Sequence, residues 1–149
     1  MKRIAELRDL SDDHHDALVL ARRCRQWAKL DDAGALASAW RRIDEAFAAQ
    51  LAPHFEIEER HLLPGLDAIG EPELAARIRD DHAALRALVA EPARGQDGVE
   101  RFGRLLESHV RFEEREAFEV AQSRLPAPAL RALAEACRSA RRTRPTLPG

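Results

Sequence analysis

Two copies of one short motif carry the residues best suited to chemistry. The first is His54-Phe55-Glu56-Ile57-Glu58-Glu59-Arg60, and the second, 55 residues later, is His109-Val110-Arg111-Phe112-Glu113-Glu114-Arg115. Each copy lies in a segment with helical periodicity, where residues four apart share one face. Each copy therefore aims one imidazole and one carboxylate in the same direction. Two such helices facing each other would bring these side chains to one place, and metal binding is the common reason for such a meeting inside a protein.

A second repeated sequence adds one histidine to each copy of the motif. Asp12-Asp13-His14 returns as Asp80-Asp81-His82. The chain therefore consists of two similar helix pairs, each with one histidine on its first helix and a histidine and a glutamate on its second. At about 100° per residue, His14 lies about 50° from the centre of the apolar face of its helix and His15 about 150°. We predict His14 as a metal ligand and keep His15 as the fallback, since a solvated or outer position suits it better.

Six ionisable side chains are thus predicted on inward helix faces: His14, His54, Glu58, His82, His109 and Glu113. Each buried charge costs several kcal/mol unless it is paired. Mutual hydrogen bonds satisfy one or two pairs, but four imidazoles and two carboxylates together favour a cation over a purely structural polar network. Glu59 and Glu114, the second acid of each motif, rotate away from the inward face. We interpret them as surface charges paired with arginine.

The donor types narrow the choice of metal. Because the set has no thiolate, it disfavours a structural zinc site. Its imidazoles disfavour calcium and magnesium, which prefer oxygen ligands. Two bridging carboxylates with terminal imidazoles suit a pair of ions such as iron or manganese. The order differs from the Glu-x-x-His motif of the bundle-core carboxylate proteins, since here histidine precedes glutamate by four residues and histidines outnumber carboxylates.

The elements that would position these side chains are helices. Alanine, leucine, arginine and glutamate dominate the chain, and strand patterns are missing. Helices are predicted at about 12–29, 35–63, 72–90, 99–124 and 129–142. We expect Ser11 to cap the first helix, Pro53 to bend or break the second, and Pro64-Gly65 to end it. The predicted fold class is all-α, an antiparallel up-down-up-down four-helix bundle with a short additional C-terminal helix, in one domain at 1–142 followed by a flexible tail at 143–149.

Composition argues against several classes of partner. The 149 residues carry a formal net charge of −2, which gives no electrostatic argument for nucleic acid or acidic membranes. No apolar run approaches the ~20 residues of a membrane span, and the charged amino terminus lacks an apolar signal core. Cys24 and Cys137 are too few for a disulfide framework, so we predict reduced thiols in or near a core. A soluble cytoplasmic protein is expected.

Four segments, in this order, carry a resemblance to a known family. They are Asp13-His14-His15-Asp16-Ala17-Leu18-Val19-Leu20-Ala21-Arg22, His54-Phe55-x-x-Glu58-Glu59-x-x-Leu62-Leu63-Pro64, Asp81-His82-x-x-Leu85-Arg86 and His109-Val110-x-Phe112-Glu113-Glu114-Arg115. Any one of them alone is a weak signal, but the ordered set is specific. The chain resembles the hemerythrin-like, or HHE cation-binding, domain of bacteria over about residues 10–140.

The resemblance implies a four-helix bundle around a non-haem di-iron centre that is bridged by oxo or hydroxo and by two carboxylates. By position, Glu58 and Glu113 would be the bridging carboxylates. The terminal ligands would be His14, His54, His82 and His109. Members of the family bind O2 reversibly or sense O2, iron or redox state, and some are linked to nitric oxide or peroxide defence.

This chain departs from the oxygen carriers of the family at two places. They have a second histidine four residues from the one that matches His82, where this chain has Ile78 on one side and Arg86 on the other. They also place the carboxylate of the last motif five residues after the histidine. Here that position holds Glu114, and Glu113 fits the inward face better.

The missing histidine would leave one iron short of a ligand. His61 lies about one turn beyond Glu58 on the predicted inward face, so it is a candidate for an additional metal ligand. The alternative is that His61, like His15, is an outer or core histidine.

Three functions suit such a centre. The first is a binding or sensing protein whose two irons, or manganese ions, react with O2 or a related small oxidant. The second is a di-iron redox enzyme that acts on peroxide or nitric oxide, and the third is iron or cation storage. We expect a metal-binding and sensing protein more than an enzyme. A homodimer or an unidentified protein partner is left open.

Overall fold

The computed structural model describes residues 2–143, which fold into a bundle of five helices and contain no strand. Helix α1 is Ala5–Trp27, α2 spans 33–68, α3 is Pro72–Ala90, α4 spans 96–124 and α5 is Ala127–Thr143. The prediction of an all-α fold is confirmed. None of these five helices is long and apolar enough to cross a membrane. Apart from Thr143, the predicted tail lies outside the described residues.

Helix α1 begins earlier than predicted. It starts at Ala5, so Ser11 lies inside the helix and is not its cap. The Ser11 hydroxyl instead donates to the Glu114 carboxylate on α4 at 2.9 Å. The Ile4 amide donates to Gln122 Oε1, also on α4, at 3.3 Å. Contacts with a distant helix thus hold a first turn that local capping signals do not predict.

Three wide π turns interrupt the regular helices, at Phe47–Leu51 and Glu58–Leu62 in α2 and at Glu113–Ala117 in α4. A π turn bonds each amide to the carbonyl five residues back and so holds one extra residue. Pro53 and Pro64 each follow a π turn by two residues. The carbonyl four residues back, which a proline ring crowds, therefore belongs to the wide turn. The helix continues past both prolines, and the prediction that it ends at the second is wrong.

The bundle has two apolar clusters with a gap between them. Helix α1 packs against α2, α4 and α5, while α3 packs against α4 and the end of α2. Along α1 the first cluster ends at Leu10 and the second begins at Ala17, and the corresponding residues on α3 are Ile78 and Leu85. One candidate histidine lies in the interval on each of these helices. A polar layer is therefore enclosed between two apolar clusters.

Both thiols are buried and free, Cys24 in the second cluster and Cys137 in the first. Burial disfavours the thiolate and raises the pKa of each thiol to about 12. Their environment agrees with the prediction of thiols packed in a core.

Gly103 allows α1 and α4 to approach closely. A Cβ at this position would lie 2.7 Å from Cys24 Cβ and 2.8 Å from the Ala21 carbonyl oxygen, a backbone atom that cannot turn aside.

Gly103→Ala gains up to about 1 kcal/mol of helix propensity, but overpacking costs about 1–3 kcal/mol. We expect urea denaturation to show a net loss of about 1 kcal/mol in the free energy of unfolding. At Gly34 a Cβ would meet only Asp32 Oδ2, at 3.5 Å, so Gly34→Ala is the control, and equal stability of the two variants would contradict the prediction.

Candidate metal centre

The structure brings the six predicted ligand residues together in the polar layer. They come from four helices, with His14 on α1, His54 and Glu58 on α2, His82 on α3, and His109 and Glu113 on α4. None of the six is more than 3 % exposed. His15, the fallback for α1, is exposed.

Glu58 lies between a histidine of its own helix and one of α3. Its Oε2 is 3.3 Å from Nε2 of His54, one turn earlier, and its Oε1 is 3.2 Å from Nε2 of His82. The regular α-turn between His54 and Glu58 stacks their side chains, as the i, i+4 spacing predicts. The wide π turn begins only at Glu58, so it leaves this pairing intact.

Glu113 likewise lies between a histidine of its own helix and one of a neighbouring helix, but here a single oxygen is near both. Its Oε1 is 2.7 Å from Nε2 of His109, one turn earlier on α4, and 3.3 Å from Nε2 of His14 on α1. Here too the π turn begins at the glutamate. The internal repeat therefore includes the backbone as well as the side chains.

These side chains form two sets of four potential ligands that share both glutamates. The first set is His14, His54, Glu58 and Glu113, and the second is Glu58, His82, His109 and Glu113. Within each set, one ligand atom from every residue lies within 4.8 Å of the others. Since each carboxylate has two oxygens, both can serve two neighbouring cations at once.

The polar atoms at the centre of the cluster are not satisfied by protein hydrogen bonds. Although imidazole nitrogens and carboxylate oxygens approach one another, the contacts lack hydrogen-bond geometry. Eight buried atoms are left without a partner: Nε2 of His14, His54, His82 and His109, and both carboxylate oxygens of Glu58 and Glu113. Native proteins leave few such groups unpaired, because each is costly. Eight in one place, all of them metal-ligand atoms, fit a cation-binding site.

The other ring nitrogen of each histidine is held by an outer carboxylate. In each case Nδ1–H donates to a carboxylate oxygen. His14 donates to Glu114 Oε2 at 2.9 Å and His54 to Asp13 Oδ2 at 3.0 Å. His82 donates to Glu59 Oε2 at 2.7 Å and His109 to Asp81 Oδ2 at 3.0 Å. Such a bond fixes the tautomer and the ring orientation, so that Nε2 is the free ligand atom facing the centre.

Sequence reasoning missed these outer partners. Glu59 and Glu114 do pair with arginines, as predicted, but they also bond histidine rings, so their interpretation as mere surface charges is wrong. The sequence places Asp13 and Asp81 in the repeat and in the family motifs but does not predict their bonds to His54 and His109. The available signal was the repeat itself, because both copies have an acid directly after the inward glutamate and directly before the first-helix histidine.

The electrostatics of the cluster favour charged imidazoles when protons occupy it. Burial by itself would lower the pKa of His54, but the negative charge of Glu58 and the hydrogen bond to Asp13 raise it to about 10. Burial likewise opposes the charge of His109, and Glu113 and Asp81 raise its pKa to about 10. Cations that bind at Nε2 must displace these protons.

Neither set of ligands includes His61, which is half-buried on the π turn Glu58–Leu62. The prediction that it lies one turn beyond Glu58 on the inward face assumed regular α-helical rotation. In a π turn each residue advances through a smaller part of a turn, so three residues carry the side chain less far around the axis. His61 is therefore not among the side chains that the structure brings to the centre.

A small cavity adjoins the first ligand set. Its volume is about 10 Å³, about the space that one water molecule needs. His14, His54 and His109 are among the residues that line it. Most of the remaining lining is apolar, from Ala17, Leu51, Phe55, Leu106 and Val110. The other three lining residues are polar: Asp13, Asp16 and Gln50.

The fold and the site define a helical-bundle protein with a buried cluster of histidines and glutamates that could hold a metal ion. The hemerythrin HHE cation-binding domain family matches residues 5–121. Because this match covers most of the chain, the protein belongs to that family, as the sequence motifs predicted. Searches of curated proteins and of solved structures find no match to the chain.

Proposed function

We propose that this chain is a non-haem di-iron protein that binds or senses O2 or a related small oxidant. The observation that carries the proposal is the set of eight unpaired ligand atoms, buried in one layer and divided into two sets that share Glu58 and Glu113. A purely structural network would leave such atoms hydrogen-bonded to each other.

Each ion would have four protein donors. His14 and His54 would hold one, His82 and His109 the other, and the two glutamates would lie between them. Four donors leave coordination positions free, which non-haem iron uses for small ligands. Iron, when bound, supplies reversible electron transfer and an attachment point for an oxidant.

The residues of the chain have three tasks in this proposal. The outer carboxylates hold each imidazole with Nε2 toward the centre. The two apolar clusters keep bulk water from the polar layer. The cavity beside His14 and His54 offers a small molecule space next to the first ligand set.

We also propose that α1–α4 form an antiparallel up-down-up-down bundle, with α5 packed beside it. The supporting observation is the shortness of the connections at 28–32, 69–71 and 91–95. Short loops make consecutive helices turn back on one another. Helix α5 contacts α1 and the second half of α2.

The first experiment is metal analysis and an optical spectrum on protein purified without air and then exposed to O2. We expect about two irons per chain and new near-ultraviolet and visible bands that reverse when O2 is removed. Irreversible oxidation, or repeated turnover of peroxide or nitric oxide with an added reductant, would replace binding with a redox enzyme. Two manganese ions per chain would change the identity of the metal in the proposal and leave the two-ion centre unchanged. A folded chain that holds only zinc, one ion or none would overturn the proposal.

A further inference from the structure

Behind each outer carboxylate lies an arginine. Arg86 Nη1 donates to Glu59 at 2.7 Å, Arg77 Nε to Asp81 at 3.1 Å and Arg141 Nη2 to Asp13 at 3.2 Å, while Arg3 Nη2 lies 3.7 Å from a Glu114 oxygen and donates to the Glu114 carbonyl at 3.0 Å. Each histidine of the two ligand sets therefore begins a chain of contacts from imidazole to carboxylate to guanidinium. The four chains are not built alike.

For the second ligand set, one helix supplies both arginines. Arg77 and Arg86 are both on α3, five residues before and four residues after His82. The positions five residues before and four residues after His14 on α1 hold Asp9 and Leu18. Neither side chain can donate a hydrogen bond to an outer carboxylate as an arginine does. The internal repeat therefore does not provide arginines for the first set.

The first set receives its arginines from the two ends of the described chain. Arg3 precedes α1, and Arg141 lies near the end of α5. Both are outside residues 5–121, the part that the family matches. Arg141 also donates to the Asp9 carbonyl at 2.9 Å, and Arg3 donates to Gln122 at 3.2 Å.

The ring contacts show that Arg3 and Arg86 occupy equivalent places. The Arg3 guanidinium lies 5.7 Å from the ring of Phe118, which stacks on His14 at 5.1 Å. The Arg86 guanidinium lies 5.8 Å from the ring of Phe55, which stacks on His82 at 3.9 Å. Each arginine thus contacts a histidine indirectly, through a carboxylate and through a phenyl ring. Arg3 and Arg86 do so from unrelated positions in the sequence.

We propose that Arg3 and Arg141 are positioning residues for the ion held by His14 and His54, so that this site depends on how the amino-terminal segment and α5 are docked. This inference rests on the proposed metal centre. A carboxylate that is fixed by an arginine holds the imidazole in one orientation, with Nε2 toward the ion. Loss of the arginine acts on the affinity and electronic properties of one ion and leaves the other set unchanged.

The test compares Arg141→Gln with Arg138→Gln. Arg138 is on the same helix and pairs only with Glu135, both exposed, among the contacts described. Cobalt(II) is the probe, because it is paramagnetic and shifts the Nδ1–H proton signals of ligating histidines away from the rest of the NMR spectrum. Cobalt affinity is measured by competition with a chelator.

We expect Arg141→Gln to move the His54 Nδ1–H signal, to speed its exchange with solvent and to weaken one of two cobalt ions several-fold. That is less than the roughly 10- to 100-fold expected for loss of an outer partner itself. Arg77→Gln should affect the His109 signal instead, and Arg141→Lys should restore most of the affinity. Thermal unfolding without metal should change little, since Arg141 lies at the surface and solvent screens its ion pair with Asp13.

Two outcomes separate this inference from the proposal beneath it. If the wild-type chain binds two cobalt ions, and the Arg141→Gln and Arg138→Gln variants have the same histidine signals and affinities, the inference is overturned and the metal centre stands. If the wild-type chain binds no cobalt, the proposed metal centre itself is overturned.

Discussion

Replacing Glu58 with glutamine is expected to reduce bound iron from two ions per chain to one or none. Both ligand sets contain this carboxylate, and its two oxygens face His54 and His82 from a fully buried position. Glutamine keeps one neutral oxygen, loses the negative charge and places N–H donors where a cation would lie. Within a buried site this should cost more than the roughly 10- to 100-fold in affinity that a change in an outer partner costs.

The matched control for this variant is Glu56→Gln, two residues earlier on the same helix. Glu56 is exposed and pairs with Arg60 at 3.0 Å, so the control should keep two irons and the wild-type spectrum. Metal analysis and the optical spectrum, taken with a thermal unfolding curve of each metal-free variant, distinguish loss of a ligand from loss of the fold. Two tightly bound irons in the Glu58→Gln variant would refute the bridging role.

Removal of the metal is expected to destabilise the protein. The free energy of unfolding of the metal-loaded protein should exceed that of the metal-free protein by more and more as the pH rises from about 7 to 10. At a free metal concentration a thousand times Kd, one bound ion contributes about 4 kcal/mol to the free energy of unfolding. Without metal, the centre relies on charged imidazoles that pair with Glu58 and Glu113. For His54 and His109 the pKa is about 10 in the folded chain against an ordinary 6.5.

The sign of the pH effect follows from these values. A pKa that is raised on folding stabilises the folded state fully below pH 6.5, and the stabilisation is lost as the pH rises toward 10. Metal binding changes in the opposite direction, because fewer protons compete for Nε2. Urea denaturation of the metal-free and metal-loaded protein at pH 7, 8 and 9 measures both trends. A metal-free chain whose stability is constant over this range would contradict the expectation.

The inward residues were predictable because the information that selects them is local. His54 and Glu58 share a helix face through one regular turn, whatever surrounds them. The same rotation distinguishes His14 from His15 on α1. Several ionisable groups on the inward face of a helix are also costly to bury, so their pattern along the chain is enough to indicate a cation.

The failures arose where packing changed the rotation of a helix or joined distant segments. The π turn after Glu58 shifts the phase of the helix, and His61 belongs to neither ligand set. Glu59, one residue beyond Glu58, points away from the centre but still reaches the ring of His82 on a neighbouring helix. Angles measured around a single helix axis do not reveal which partner lies across the next groove.

By itself, the sequence determined the all-α class, the family and the six inward candidates, because helix periodicity and a repeated motif are properties of neighbouring residues. Tertiary structure alone decided the outer carboxylates, the wide turns that accommodate Pro53 and Pro64, and the arginines brought from both ends of the described chain. Arg3 and Glu114 are separated by 111 residues, and Arg141 and Asp13 by 128. No local pattern specifies such pairs, since they form only when the packing of whole helices places one charge beside another.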